Sequence, residues 1–466
     1  MAFSGLVFLY YFLPGALALY MLAPGRWRRG VLLLESLLFY AWAGPAYVPI
    51  LLFTVAQSYI LARLMAGARS QAGRRGLLGL SLALSLGPLL VFKYADFLLG
   101  TFNGLPGVSL PLLKLTLPLG ISFFTFEAVS YTVDVYTGRI PAEKDLLTYA
   151  TWLCMFPKLT AGPIARYGQS APALTVPGCS WKGAANGARR FILGLGKKVL
   201  LAEELGLLVT ACQSSASPTV VMAWLGALGY TLQLYFDFSG YSDMAIGLGW
   251  ILGLSLPENF DYPYLSRSLT EFWRRWHITL GSFFRDYIYI PLGGSRKGRG
   301  RQILNLWIVW LLTGLWHGAG WNFILWGLLF WGLLVVEKLF LLPRLEKGRV
   351  WPRVYVLFFL LVSFTVFSAG DLREAVSRVA ALFGGGGEMF FSRETGYYLQ
   401  SCGILLLLGI VGATPLPRLL ARKLGDTRAG RLASVAAEPL FLLTVLLLAT
   451  AALVDGSFSP FMYFRF

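Results

Sequence analysis

The chain contains only two histidines, His277 and His317, and each lies where an imidazole could take part in proton transfer. His317 stands in LTGLWHGAGWNF, in the middle or at the outer end of a strongly apolar segment, with Trp316 before it, Gly318 and Gly320 after it and Asn322 close behind. An imidazole, with an ordinary pKa of about 6.5, can serve as a general base near neutral pH when it is desolvated and neutral. The glycines leave room for a substrate or another helix to approach the ring. The same residues also fit a histidine hydrogen-bonded between helices for packing alone. Ionisable side chains in a membrane segment mark functional sites by default, so His317 is the first catalytic candidate, with Trp316 and Asn322 as candidate binding residues.

His277, the second catalytic candidate, lies in LTEFWRRWHITLGSFFRDYIYIPLGG, where Phe272, Trp273, Trp276 and Phe283 surround Arg274, Arg275 and Arg285. That mixture predicts an interfacial helix with its rings at headgroup depth, and anchoring alone would account for it. Glu271, Arg275, His277 and Asp286 are close enough in sequence to pair within one helix and its neighbour. Arg274 and Arg275, with the basic run at 296–301, could neutralise an anionic cofactor from the cytoplasmic side. A third stretch, LQLYFDFSGYSDMAIGLG, puts Asp237, Ser239, Ser242 and Asp243 inside apolar sequence. Acids so placed need partners or water. They fit a proton or cation site or, the reading favoured here, structural acids paired with an arginine of the 274–285 helix.

The elements that must hold these residues are membrane helices. Hydrophobic residues make up 56% of the 466 and charged residues 14%, where a soluble domain carries about a quarter charged, which excludes a water-soluble protein. Apolar stretches approaching the roughly 20 residues that cross a bilayer recur along the chain. The clear ones are 6–22, 77–91, 303–316, 323–336, 354–367, 404–411 with its flanks and 439–453, and with the shorter segments between them they predict about ten to twelve crossings. No basic residue precedes the first run and Pro14 interrupts it, so it reads as a span rather than a cleaved signal. The net charge of +17 sits in short connections, among them 26–29, 63–75, 296–301, 344–353 and 418–431. That pattern reads as cytoplasmic loops rather than a nucleic-acid surface and puts both termini outside. Cys154, Cys179, Cys212 and Cys402 are scattered, so neither a metal site nor a redox motif is expected. Gly384 to Gly387 lack a following Lys-Ser or Lys-Thr and read as a linker. One membrane domain over 1–466 is expected, with a polar core at 150–320 where half-helices line a protein-walled cavity.

Three longer runs carry a resemblance: YFDFSGYSDMAIGLG, ENFDYPYLSRSLTEFWRRWHITLGSFFRDYIYIPLGGSRKG and LTGLWHGAGWNFILWG. With FPKLTAGPIARY and the terminal FSPFMYFRF, they resemble the signature stretches of the membrane-bound O-acyltransferase (MBOAT) family, and within it the bacterial alginate O-acetyltransferase-like branch. The resemblance implies an all-α polytopic fold, a ring of transmembrane helices around a central funnel. It implies an essential histidine in an apolar segment, matched by His317, and a second polar residue upstream, matched by His277. Lys158, in FPKLTAGPIARY, stands where the pattern has histidine and is given no catalytic role.

The same resemblance implies an acyl-CoA donor, acetyl-CoA, entering from the cytoplasm and a hydroxyl acceptor outside. The acceptor would be an extracellular polysaccharide at the envelope of a bacterial inner membrane, reached directly or through an SGNH-like secreted partner. O-acyl transfer needs a base, a way to hold the thioester carbonyl and exclusion of water, which a histidine in a membrane funnel partly supplies. D-alanyl transfer to teichoic acid is the alternative within the family. Outside it stand a proton-coupled transporter or flippase, whose pseudo-symmetric halves are not visible, and a scaffold for an export complex, against which retention of both histidines argues.

Overall fold

A computed structural model of the chain describes residues 3–175, 178, 180–216, 218–387 and 389–456; the terminal FSPFMYFRF and Cys179 lie outside them. Among the described residues the secondary structure is helical, with no strand and two isolated β-bridges, Thr219 with Met389 and Phe260 with Trp276. Helix starts follow local chemistry. Ser70, Asp145, Ser268, Asp371 and Ser392 each accept a bond from a backbone N–H in the first turn of the helix that follows, satisfying donors that would otherwise be orphaned. Glu271 and Glu374 complete two of these caps by accepting from the backbone N–H of Arg267 and of Gly370, which fixes where those helices begin.

Among the described residues five helices are long and apolar enough to cross a bilayer: Pro45–Gly67, Gln71–Asn103, Trp321–Lys347, Trp351–Ser368 and Leu432–Val454. Arg393–Ser401 and Gly403–Gly412, bent by 54° at their junction, make a sixth if they form one span. The larger number read from the sequence also takes in shorter or more polar helices. Phe8–Leu22 is one; another is Arg299–His317, which opens on two arginines and carries Asn305, Thr313 and His317.

The chain divides into two compact units, and each is assembled from separated stretches: Met1–Phe191, Ser242–Glu258 and Ser282–Ile288 in one, Ile192–Tyr241, Asn259–Gly281 and Tyr289–Phe466 in the other. The polar core at 150–320 is therefore shared out between them, and no linker in the sequence marks the division. Several helices, among them Trp181–Gly196, Val220–Ile251 and Ile278–Phe284, contribute to both units. Within the first unit a Cβ on Gly187 would lie 2.5 Å from the Gly247 carbonyl oxygen; within the second, one on Gly240 would lie 2.7 Å from that of Gly194. Only glycine lets the two backbones come that close.

The core of the second unit is aromatic. Phe272, Trp276, Trp310, Trp326, Phe330, Phe364 and Phe367 belong to one buried cluster. The free thiols of Cys154 and Cys212 are buried and that of Cys402 is half-buried.

Candidate active site

The Arg299–His317 helix delivers His317 as its last residue. It packs backbone to backbone on Trp321–Val336: a Cβ on Gly314 would lie 2.5 Å from the Phe323 carbonyl oxygen, and one on Gly327 would lie 2.4 Å from that of Trp310. This contact sets the tight reversal at 318–320 and encloses the buried His317 ring in aromatic faces. The ring centroids of Trp316, Trp326 and Phe367 lie 4.6, 4.9 and 5.1 Å away. The space expected beside the glycines is filled. A Cβ on Gly318 would meet the Phe323 ring at 2.2 Å, and one on Gly320 would meet Asn322 Oδ1 at 2.5 Å. Of the two occupants expected beside the glycines, substrate or another helix, it is the side chains of the Trp321–Val336 helix that fill the space. Asn322 is engaged as well: its Nδ2 donates to the Ala369 carbonyl at 2.8 Å, tying this helix start to the end of Trp351–Ser368.

The second histidine departs from the sequence reading. In place of one interfacial helix there are two short ones, Leu269–Arg275 and Ile278–Phe284, with Trp276 and His277 between them and His277 in the left-handed region at φ +45°. Tertiary pairing overrides helical preference here. The Asp261 N–H donates to the Arg275 carbonyl and the Ile278 N–H to the Asn259 carbonyl, each at 3.0 Å. A short antiparallel clamp between 259–261 and 275–278 therefore replaces the helical ladder. The preceding helix is fixed at its other end by the fully buried Glu337, whose carboxylate accepts from Leu269 N–H at 2.6 Å and from Thr270 N–H at 2.8 Å. Phe272, Trp276 and Phe283 are buried, so these rings pack against protein.

The two candidate catalytic rings meet at one side chain. The Trp316 indole lies 5.6 Å from the His277 ring and 4.6 Å from the His317 ring. Phe238 stands edge-on to His277 at 4.7 Å. Burial holds the His277 imidazolium well below its ordinary range, so the ring is neutral at physiological pH.

The acids find partners other than those expected. Asp237 is paired with Lys198 at 2.6 Å, not with an arginine of the 274–285 segment, and Glu203 lies 4.0 Å from the same amine. The glycine crossing explains this, because the Gly240 position also faces the backbone nitrogen of Lys198, which brings the start of the π-helical Lys197–Ala202 turn against Asp237. Asp243 pairs with Arg190 at 2.8 Å, and Arg190 also binds Glu258 at 2.5 Å. Ser239 is buried, and its hydroxyl makes no hydrogen bond among the described residues. Asp286 pairs with Arg166 at 2.5 Å and with Arg285 at 2.6 Å.

Of the two arginines proposed for an anionic cofactor, Arg275 is occupied by Glu271 at 2.9 Å and Asp261 at 3.4 Å. Arg274 is exposed and, with Arg267, Leu342 and Glu346, lines a cavity of about 450 Å³. Lys158 forms a buried ion pair with Glu127, whose other oxygen accepts from Ala165 N–H at 3.0 Å, a satisfied structural arrangement.

Sequence reasoning passed over Phe238, Asn259, Lys198 and Glu337. A lysine and a glutamate inside apolar sequence were visible signals for the last two. Asn259 offered none, since its role depends on a contact made eighteen residues along the chain.

Comparison with known proteins follows the same lines. The profile of the MBOAT, membrane-bound O-acyltransferase family matches residues 127–372. The chain is 39% identical to the probable alginate O-acetylase AlgI of Azotobacter vinelandii over the full length of both. It is 36% identical to a peptidoglycan O-acetyltransferase of Helicobacter pylori over 72% of this chain and 68% of that one. To the teichoic acid D-alanyltransferase of Bacillus subtilis it is 26% identical, over 44% of this chain and 55% of that one.

Proposed function

Since the chain belongs to the membrane-bound O-acyltransferase family and is a multi-pass membrane enzyme, we propose that it moves an acetyl group from acetyl-CoA to a hydroxyl of an extracellular polysaccharide, with His317 as general base. The observation that carries this reading is the shared Trp316 indole, which joins His317 and His277 in one aromatic, water-poor setting. In the reaction His317 accepts the proton of the attacking hydroxyl as its oxygen bonds to the thioester carbonyl carbon. The tetrahedral adduct then collapses, the carbon–sulfur bond breaks, and the departing thiolate takes the proton back. The carbonyl end of the Arg299–His317 helix favours the transient positive charge on the ring, and the surrounding aromatics exclude the water that would hydrolyse the donor.

The names of the full-length relatives support acetyl as the group and a glycan as the acceptor. The D-alanyltransferase likeness covers less than half of the chain and gives weaker support to D-alanyl transfer. The cavity lined by Arg267 and Arg274 is our candidate for the anionic part of the CoA donor, approached from the cytoplasm. The site of action we assign is a bacterial inner membrane with both termini outside, and the final acceptor is reached directly or through an SGNH-like secreted partner. A thiol introduced at Arg299 should be silent to an impermeant reagent added to intact cells; labelling from outside would overturn this topology.

The test of the base is transfer from radiolabelled acetyl-CoA to the envelope fraction by membranes holding matched amounts of each variant. His317→Gln, which can hydrogen-bond but cannot take a proton at neutral pH, should be as inactive as His317→Ala. Wild-type transfer by His317→Gln would reject the base role.

A further inference from the structure

Asn259 and His277 are both almost wholly buried, and their contact fixes the proton on the histidine ring. Asn259 Oδ1 lies 3.2 Å from the backbone nitrogen of Thr279, 3.0 Å from Thr279 Oγ1 and 3.1 Å from His277 Nδ1. A backbone N–H can only donate, so the amide atom that faces it is the oxygen, and that oxygen can only accept. The nitrogen it meets on His277 therefore carries a hydrogen. In a neutral ring the other nitrogen, Nε2, is then the one with the lone pair. A backbone bond from Ile278 N–H to the Asn259 carbonyl joins the same two segments, and His277 stands at a φ of +45°, a strained value for a residue with a side chain.

We propose that Asn259 is a positioning residue for acyl transfer, locking His277 in the Nδ1–H form so that Nε2 presents a lone pair to a donor group of the bound acceptor other than the hydroxyl that reacts. On this assignment His277 receives a hydrogen bond from the bound acceptor and does not donate one to the thioester carbonyl, and the proton of the attacking hydroxyl is left to His317. The group behind it is a neutral amide, which leaves the ring less basic than a carboxylate would. Charged and titratable groups stand nearby on each packed element: Glu271, Arg275 and Asp261 along the clamp, Asp237 with Lys198 on the helix that carries Phe238, and His317 beyond Trp316. Burial is what pushes the His277 ring below its ordinary range.

The inference rests on the reading that His277 works in the transfer site, and the variants separate the two. Rates would be measured from about pH 4 to 9, reaching below the ordinary histidine range because burial depresses His277, with radiolabelled acetyl-CoA and membranes holding matched amounts of protein. His277→Ala should lose most of its activity; retained activity would reject the reading itself. Asn259→Asp keeps the acceptor oxygens and adds a negative charge beside Nδ1–H, which favours the imidazolium. Its rate at alkaline pH should stay near wild type while the acidic limb of the profile moves up by about one to three pH units. Asn259→Ala should lower kcat at every pH with KM for acetyl-CoA unchanged. If His277→Ala is inactive but the Asn259→Asp profile superposes on that of the wild type, Asn259 is merely structural and the inference fails. Should Asn259→Ala fail to accumulate, the Asn259→Asp profile decides alone.

Discussion

Lys158 and His317 are both buried nitrogen bases set against tryptophan, in different units, and their surroundings treat them differently. Lys158 Nζ lies 4.8 Å from the Trp152 ring centroid and is matched by the Glu127 carboxylate, which in turn accepts a backbone N–H. Arg166 with Asp286, and Arg190 with Asp243 and Glu258, repeat that pattern of charge met by charge in the first unit. Around His317 the near neighbours are aromatic faces, and the partner of His277 is a neutral amide. Full charges that are paired make a framework; rings that can be neutral or protonated are free to move a proton. The contrast separates residues that hold the fold from those that do chemistry more sharply than burial does, since both kinds are buried.

The comparison breaks first at activity. Truncating His317 to Ala should cut transfer by on the order of 10²–10⁴-fold, the usual worth of general base catalysis, while its melting temperature in detergent stays close to wild type; a parallel collapse of stability would make His317 a framework residue. Lys158→Met should do the reverse. Leaving Glu127 buried without its counter-charge costs about 3–5 kcal/mol, read as a lowered melting temperature and poor accumulation. Adding Glu127→Leu should restore most of that loss, and failure of the double variant to recover would show that the pair does more than neutralise itself.

Gly318→Ala comes next, at about 1–3 kcal/mol for overpacking, because its Cβ would sit 2.2 Å from the Phe323 ring. Phe323→Leu in the same chain should relieve it in a thermal-shift measurement. Glu35 departs from the pattern of the first unit, for both its oxygens are buried and make no hydrogen bond among the described residues. Glu35→Met should therefore raise stability by about 1–3 kcal/mol, and a fall in melting temperature would show that the carboxyl has a task.

The smallest effect belongs to Arg285, largely exposed where it meets Asp286. Burial pushes the Asp286 carboxyl up, and bonds from Arg285 and Arg166 more than offset this, holding it below its ordinary range. A depressed carboxyl contributes stability that is present above its unfolded pKa of about 4 and is lost as pH falls through the folded value. Arg285→Ala should cost no more than about 1 kcal/mol at neutral pH and should narrow the gap in melting temperature between neutral and acid conditions.

What could be read from the sequence was local or compositional. Helical membrane architecture followed from apolar length. His317 followed from the rarity of a titratable ring in an apolar run. The features that escaped depend on contacts between distant segments. The break at His277 is made by 259–261, and nothing within LTEFWRRWHITL forbids one continuous helix. The partner of Asp237 was sought among nearby arginines, whereas a glycine crossing delivers Lys198 from 39 residues upstream. The glycines after His317 were rightly seen as space, but what fills the space is decided by the next helix.

The left-handed backbone at position 277 also limits which amino acids can stand there. Val, Ile and Thr are excluded by their branched Cβ, and the residues that enter this region most readily, apart from glycine, are Asn, Asp and His. All three carry hydrogen-bonding groups on a short stem. The clamp therefore acts as a filter on mutation: random substitution at this codon returns folded protein chiefly when it also returns a polar side chain beside Trp316. Glycine aside, the enzyme can change its chemistry at this position while rarely sampling an inert one.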